Sequence, residues 1–149
     1  MSDNPIEIEI DNRKVKDRLL ELAKRGAYLR PLMKNIAGIM AYSTEENFRE
    51  EGRPEKWQDL SDVTKELRKK KCKWPGQILQ VEGMLASSIS TYYDEDSAII
   101  GSNLPYAAIH QLGGDAGRNQ KVTIPARPYL KLTEDDLNEV LTATERYLL

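Results

Sequence analysis

The apolar positions of this chain recur with two different periods. Ile6-Glu7-Ile8-Glu9-Ile10 alternates apolar and charged residues, so three β-branched side chains share one face and a short half-buried strand is predicted. Asp11 or Asn12 then caps a helix carrying Val15, Leu19, Leu22 and Ala23, which ends near Gly26. A longer stripe follows at helical spacing: Leu29, Leu32, Met33, Ile36, Met40 and Phe48, closing at Gly52. Such a stripe reads as core packing.

The segment Gly52–Ser61 (GRPEKWQDLS) is punctuated by Gly and Pro and reads as a loop that carries a Trp. Ser61 or Asp62 caps a short, very basic helix from Val63 to Lys71, which Trp74-Pro75-Gly76 closes. Ile78, Leu79, Val81, Met84, Leu85 and Ile89 mix periods and read as a short helix leading into a strand. Tyr92-Tyr93, an acidic turn at Asp94-Glu95-Asp96 and Ala98-Ile99-Ile100-Gly101 predict a β-hairpin. Tyr106 to Leu112 reads as a short helix or turn stopped by Gly113-Gly114.

From Gly114 to Gln120 (GDAGRNQ) little apolar content pins the chain, and a mobile polar loop is expected. Val122-Thr123-Ile124 is the next strand, interrupted by Pro125 and Pro128. Thr133 starts a final helix. Asp136 three positions on completes a variant of the capping box, and Leu137, Val140, Leu141, Thr144 and Leu148 form the apolar face. The expected fold is therefore α+β. It has a small, mostly antiparallel sheet of three or four short strands flanked by helices, including a long second helix and a C-terminal helix. One domain spanning residues 1–149 accommodates it.

Composition narrows the classes. The 22 basic and 24 acidic residues among 149 leave a net charge of −2, which gives no global pull toward nucleic acid or an anionic membrane. Cys72 is the single cysteine, so neither an internal disulfide nor a multi-cysteine metal site is available. No apolar run approaches the roughly 20 residues a membrane helix needs. The N-terminus lacks the basic and apolar regions of a signal peptide, so the chain is expected to stay in the cytosol.

Candidate chemistry is sparse. His110 is the only histidine, so any Ser–His–Asp arrangement would have to use it, and a lone His is more simply a packed residue. There is no GxxxxGK[ST] loop and no GxGxxG. Asp94, Glu95 and Asp96 read as a solvated turn, and Cys72 has no base or resolving partner nearby in sequence. Neither a catalytic set nor a cofactor, metal or small-molecule site is expected. The run Arg68-Lys69-Lys70-Lys71, continued by Lys73, is the strong local charge cluster: an exposed helix face, or a contact for DNA phosphates or an acidic partner. Trp57 and Trp74 flank it as lids on the core or anchors of an interface.

The order of motifs resembles the virion morphogenesis family of tailed phages, the group of Mu-type and P2-type tail completion proteins. The matching pieces begin with Phe48-Arg49-Glu50-Glu51-Gly52 and Trp57-Gln58-Asp59-Leu60-Ser61 with Thr64. Ile78-Leu79, Gly83-Met84-Leu85, Ser88-Ile89 and Gly101-Ser102-Asn103 follow. The most specific pairing is Tyr106-Ala107-Ala108-Ile109-His110-Gln111-Leu112-Gly113-Gly114 with Ile124-Pro125-Ala126-Arg127-Pro128-Tyr129-Leu130. Glu82-Gly83 departs from the commoner Thr-Gly or Ser-Gly pair.

The resemblance implies a non-enzymatic structural protein of tail completion or head–tail joining. It would be an oligomeric ring that contacts phage tail or connector proteins, assembled in the host bacterial cytoplasm and carried into the virion or released from it. A nucleic-acid-binding accessory protein using the Arg68–Lys73 run is the alternative. Within the motifs, Tyr106 and His110 are four apart and share a helical face. The glycine pair permits a sharp turn. Arg127, between Ala126 and Pro128, holds its guanidinium fork in place for a carboxylate or for backbone carbonyls. Trp57, Tyr106, His110, Gln111, Gly113, Gly114, Arg127, Pro128 and Tyr129 are the motif residues, either an internal staple of the fold or a contact surface.

Overall fold

A computed structural model describes residues 12–80 and 82–147. The strand expected at Ile6–Ile10, the cap candidate Asp11 and Leu148 lie outside the described residues. Local capping chemistry sets the helix starts. The Asn12 side chain accepts a hydrogen bond from the Val15 amide at 3.2 Å and opens α1 (Arg13–Lys24). Pro31, whose fixed φ suits a first helical turn, stands at the start of α2 (Arg30–Arg49). Ser61 accepts from the Thr64 amide at 3.2 Å and opens α3 (Asp62–Lys70), one residue earlier than the basic run suggested.

A four-residue turn, α4 (Met84–Ser87), leads into β1 (Ser90–Tyr93), which pairs antiparallel with β2 (Ala98–Gly101) as the expected hairpin. The next helix, α5, runs Ala107–Leu112. The segment expected as a mobile loop is ordered: β3 (Gly114–Ala116) pairs antiparallel with β4 (Val122–Ile124), Asp115 opposite Thr123. This pairing satisfies backbone groups without needing apolar side chains, which is why the polar sequence gave no sign of it. The reversal runs through a 3-10 turn at Arg118–Gln120, and Thr123 Oγ1 donates to Asp115 Oδ1 at 3.0 Å. The last helix, α6 (Glu134–Tyr147), carries the expected reciprocal cap. The Asp136 amide donates to Thr133 Oγ1 at 3.2 Å, and the Thr133 amide donates to Asp136 Oδ2 at 2.9 Å.

The fold is α+β, and among the described residues its four strands form two separate antiparallel hairpins. Helix α2 is the spine. Its first half joins α1 and α6 through Leu22, Leu29, Leu32, Met33, Ile36 and Val140, with Tyr93 and Ala98 of the first hairpin against them. Its last turn delivers Phe48 to a second cluster with Trp57, Ile78, Leu85, Ala107 and Tyr129. No described helix is long and apolar enough to cross a membrane.

Candidate functional site

Trp57, Gln111, Arg127 and Tyr129 of the motif are buried, whereas Tyr106 and Gly114 are exposed. Tyr129 is fully buried; its ring stacks on Phe48 with centroids 5.3 Å apart, and Trp57 meets Phe48 edge-on at 5.9 Å. Trp57 Nε1 donates to the Pro128 carbonyl at 3.1 Å, so this tryptophan is part of the core. The Tyr129 hydroxyl donates to the Ala107 carbonyl at 2.6 Å, and burial pushes its pKa up to about 12. Gln111 Oε1 accepts from the amides of Tyr129 (3.1 Å) and Leu130 (2.9 Å), while its Nε2 donates back to the Leu130 carbonyl at 3.3 Å. That clamp fastens α5 to the proline-braced strap of residues 125–130.

Gly113 closes the same clamp from the other side. Its φ of 73° and ψ of 174° lie in a region that essentially glycine alone occupies. A Cβ there would stand 2.7 Å from the Ala126 nitrogen. Gly114 has φ 150° and begins β3. The Arg127 amide donates to the His110 carbonyl at 2.8 Å. Its guanidinium donates to the carbonyls of Gln58 (2.9 Å) and Asp59 (3.2 Å). Of the two receivers expected for Arg127, backbone carbonyls are the ones the fold supplies.

A second buried polar centre escaped the sequence reading. Arg53 reaches under α2 and donates to Asn47 Oδ1 (2.9 Å), the Ser43 carbonyl (3.0 Å), Ser43 Oγ (3.0 Å) and Asp136 Oδ2 (2.9 Å). Ser43 Oγ donates to the same carboxylate oxygen at 2.6 Å. Asn47 Nδ2 bonds the carbonyls of Tyr129 (2.8 Å) and Lys131 (2.9 Å). Burial raises the Asp136 carboxyl, yet the hydrogen bonds from Ser43 and Thr133 and the Arg53 charge outweigh it and hold the pKa below the usual carboxylate value. The signal was present: Ser43 and Asn47 continue the spacing of Met33, Ile36 and Met40, so polar side chains sit on the buried stripe.

Beside the clamp lies a groove of about 800 Å³, lined by Thr64, Arg68, Met84, Tyr106, His110 and Arg127 among others. Tyr106 and His110 meet edge-on with centroids 6.0 Å apart, as their spacing predicted. His110 Nδ1 is buried without a hydrogen-bond partner. Burial and then the Arg127 charge lower its pKa. Arg68 is not part of an exposed patch. It turns inward, donates to the Gln77 carbonyl at 3.0 Å, and leaves Nε unpartnered.

The rest of the basic run, Lys69, Lys70, Lys71 and Lys73, is exposed. Lys69 pairs with Glu66 at 3.1 Å and Lys73 with Glu82 at 3.5 Å. Among the described residues no group of three or more His, Cys, Asp or Glu could hold a metal ion.

A proline-braced strap clamped under a glycine turn, with Trp57 and Tyr129 locked into one core, shows how the motif block acts as a structural unit. The chain belongs to the phage virion morphogenesis family, whose model matches residues 10–149. Among its relatives is "Mu-like prophage FluMu G protein 2" of Haemophilus influenzae, 41% identical over 143 residues and 95% of each chain. "Putative capsid assembly protein G" of Escherichia phage Mu is 36% identical over 121 residues, 78% of each chain. "Mu-like prophage FluMu G protein 1" of Haemophilus influenzae is 32% identical over 147 residues, 96% of this chain and 94% of the relative. No solved structure matches the chain.

Proposed function

We infer that this chain is a structural, non-enzymatic component of phage assembly that completes the tail or joins head to tail, working as an oligomeric ring in the host bacterial cytoplasm. One observation carries the reading: a family match over residues 10–149 whose motif block is spent on internal fastening. Residues that hold a scaffold together suit a part that must present fixed surfaces to tail or connector proteins. The whole chain, 1–149, acts as one domain in this account.

Deleting the gene from an inducible phage that carries it, then examining lysates by electron microscopy, tests the reading. Full heads with unjoined or irregularly ended tails are expected, restored by the gene in trans. Lysates lacking heads would overturn it in favour of a capsid role, the role that the phage Mu relative's name states for that protein.

A second reading, DNA contact, is favoured by the exposure of Lys69 and Lys70 at the end of α3 and of Lys71 and Lys73 after it. It predicts DNA binding that weakens steeply with salt and is lost when these lysines become glutamate.

A further inference from the structure

Helix α3 is amphipathic in an unusual sense. It buries Arg68 and turns Val63 and Leu67 outward, 71% and 53% exposed. These two apolar side chains are four apart, and Lys70 continues the same face three residues on. Glu66 shares that face but is answered by Lys69 at 3.1 Å, whereas Lys70 and Lys71 meet no carboxylate among the described residues.

The first hairpin shows the complementary character. Tyr92 and Ile99 are directly paired across β1 and β2 and lie 60% and 54% exposed, while Tyr93 and Ala98 of the opposite face pack on the core. The turn beyond them carries Glu95 and Asp96, both exposed and without an ion-pair partner among the described residues. The Asp94 carboxylate is occupied within the turn, accepting from the Asp96 and Ser97 amides at 2.8 and 2.7 Å.

These two surfaces meet the spine at different places. The turn end of the hairpin lies by the start of α2, where the Arg30 guanidinium stands 5.3 Å from the Tyr93 ring centroid, while Ser90 and Thr91 at its other end line a pocket with Phe48 and Arg49. The basic helix lies by its end: Arg68 bonds the Gln77 carbonyl, and Gln77 Nε2 bonds the Arg49 carbonyl at 3.4 Å. Each pole thus carries two exposed apolar side chains beside charge, lysines at one and carboxylates at the other.

We propose that the α3 pole of one copy docks on the β1–β2 pole of the next, Val63 and Leu67 against Tyr92 and Ile99, with Lys70 and Lys71 facing Glu95 and Asp96. Contacts between two different patches are heterologous, and they close into a ring when the rotation per copy allows it. The proposal rests on the ring reading above and names the surfaces that would make it. Apolar pairs supply the buried area, and the charges fix the direction of docking.

Sedimentation velocity of the full chain over a range of concentrations tests this with two charge reversals, Lys70→Glu with Lys71→Glu and Glu95→Lys with Asp96→Lys. All four sites are exposed, so thermal unfolding should not change. Each double variant alone should need at least tenfold more protein to associate. An equimolar mixture of the two should associate like the natural chain, because every α3 pole then faces a hairpin pole of opposite charge. An oligomer indifferent to both reversals would overturn the surfaces and leave the ring reading standing. A natural chain that stays monomeric throughout would overturn both. Variants of Lys70 and Lys71 that lose DNA binding but keep their self-association would assign the lysines to nucleic acid and overturn the docking.

Discussion

Two arginines, half-buried Arg53 and buried Arg127, tie distant parts of the fold together, and they do so under opposite conditions. Arg53 faces a carboxylate, Asp136, at 2.9 Å, and makes three further hydrogen bonds to Ser43 and Asn47. Arg127 meets only carbonyls, those of Gln58 and Asp59, and Arg68 beside it meets one, that of Gln77. Among the described residues neither Arg68 nor Arg127 pairs with a carboxylate, and each has its pKa lowered chiefly by burial. The difference shows what each centre is for. A charge pair with its hydrogen bonds satisfied locks α6 to α2, while guanidiniums on carbonyls stitch loops together at the rim of a groove.

The comparison breaks most visibly at Arg53. Arg53→Met leaves the Asp136 carboxylate buried without its charge partner and should cost about 4 kcal/mol in urea unfolding. Next comes Gly113→Ala, at about 2 kcal/mol, because a Cβ meets the Ala126 backbone in a conformation almost reserved for glycine. Arg127→Met strands two carbonyls of exposed residues that water can partly reach, so about 1 kcal/mol is expected. Arg68→Met gives up one hydrogen bond but also removes an unpartnered buried Nε, and should stay within about 0.5 kcal/mol. If Arg68→Met cost as much as Arg53→Met, the contrast between the centres would collapse.

Acid sharpens the same contrast. Asp136 has a lowered folded-state pKa, so its stabilisation is complete above the unfolded value of about 3.9 and is lost as pH falls through the lower folded value. His110 also has a lowered pKa, which means the folded state prefers the neutral ring. Its contribution is complete above about pH 6.5 and shrinks as pH falls from there. Unfolding measured across pH should show a small upper step and a larger lower one. His110→Gln should erase the upper step alone.

Much of the helical framework was legible because capping and periodicity are local. Asn12, Ser61 and the Thr133–Asp136 box open helices where the sequence indicated, and the Tyr92–Ile99 hairpin follows from β-rich runs around an acidic turn. The β3 strand was not legible, since Gly-Asp-Ala has no strand pattern and is ordered by its pairing with β4. Arg68 misled for a related reason. A basic run reads as one exposed face, but helical rotation carries each member to a different side. Motif residues were visible as a set. The burial of Trp57, Gln111, Arg127 and Tyr129 was not, because Arg127 finds its partners almost seventy residues away along the chain.

The proposed closed oligomer is the part of this protein's assembly role most open to direct test. Native mass spectrometry of the full chain, alone and then with isolated phage tails, tests it most directly. One dominant oligomer of defined copy number, formed alone or on the tail, is predicted. A monomer in both samples would contradict the account.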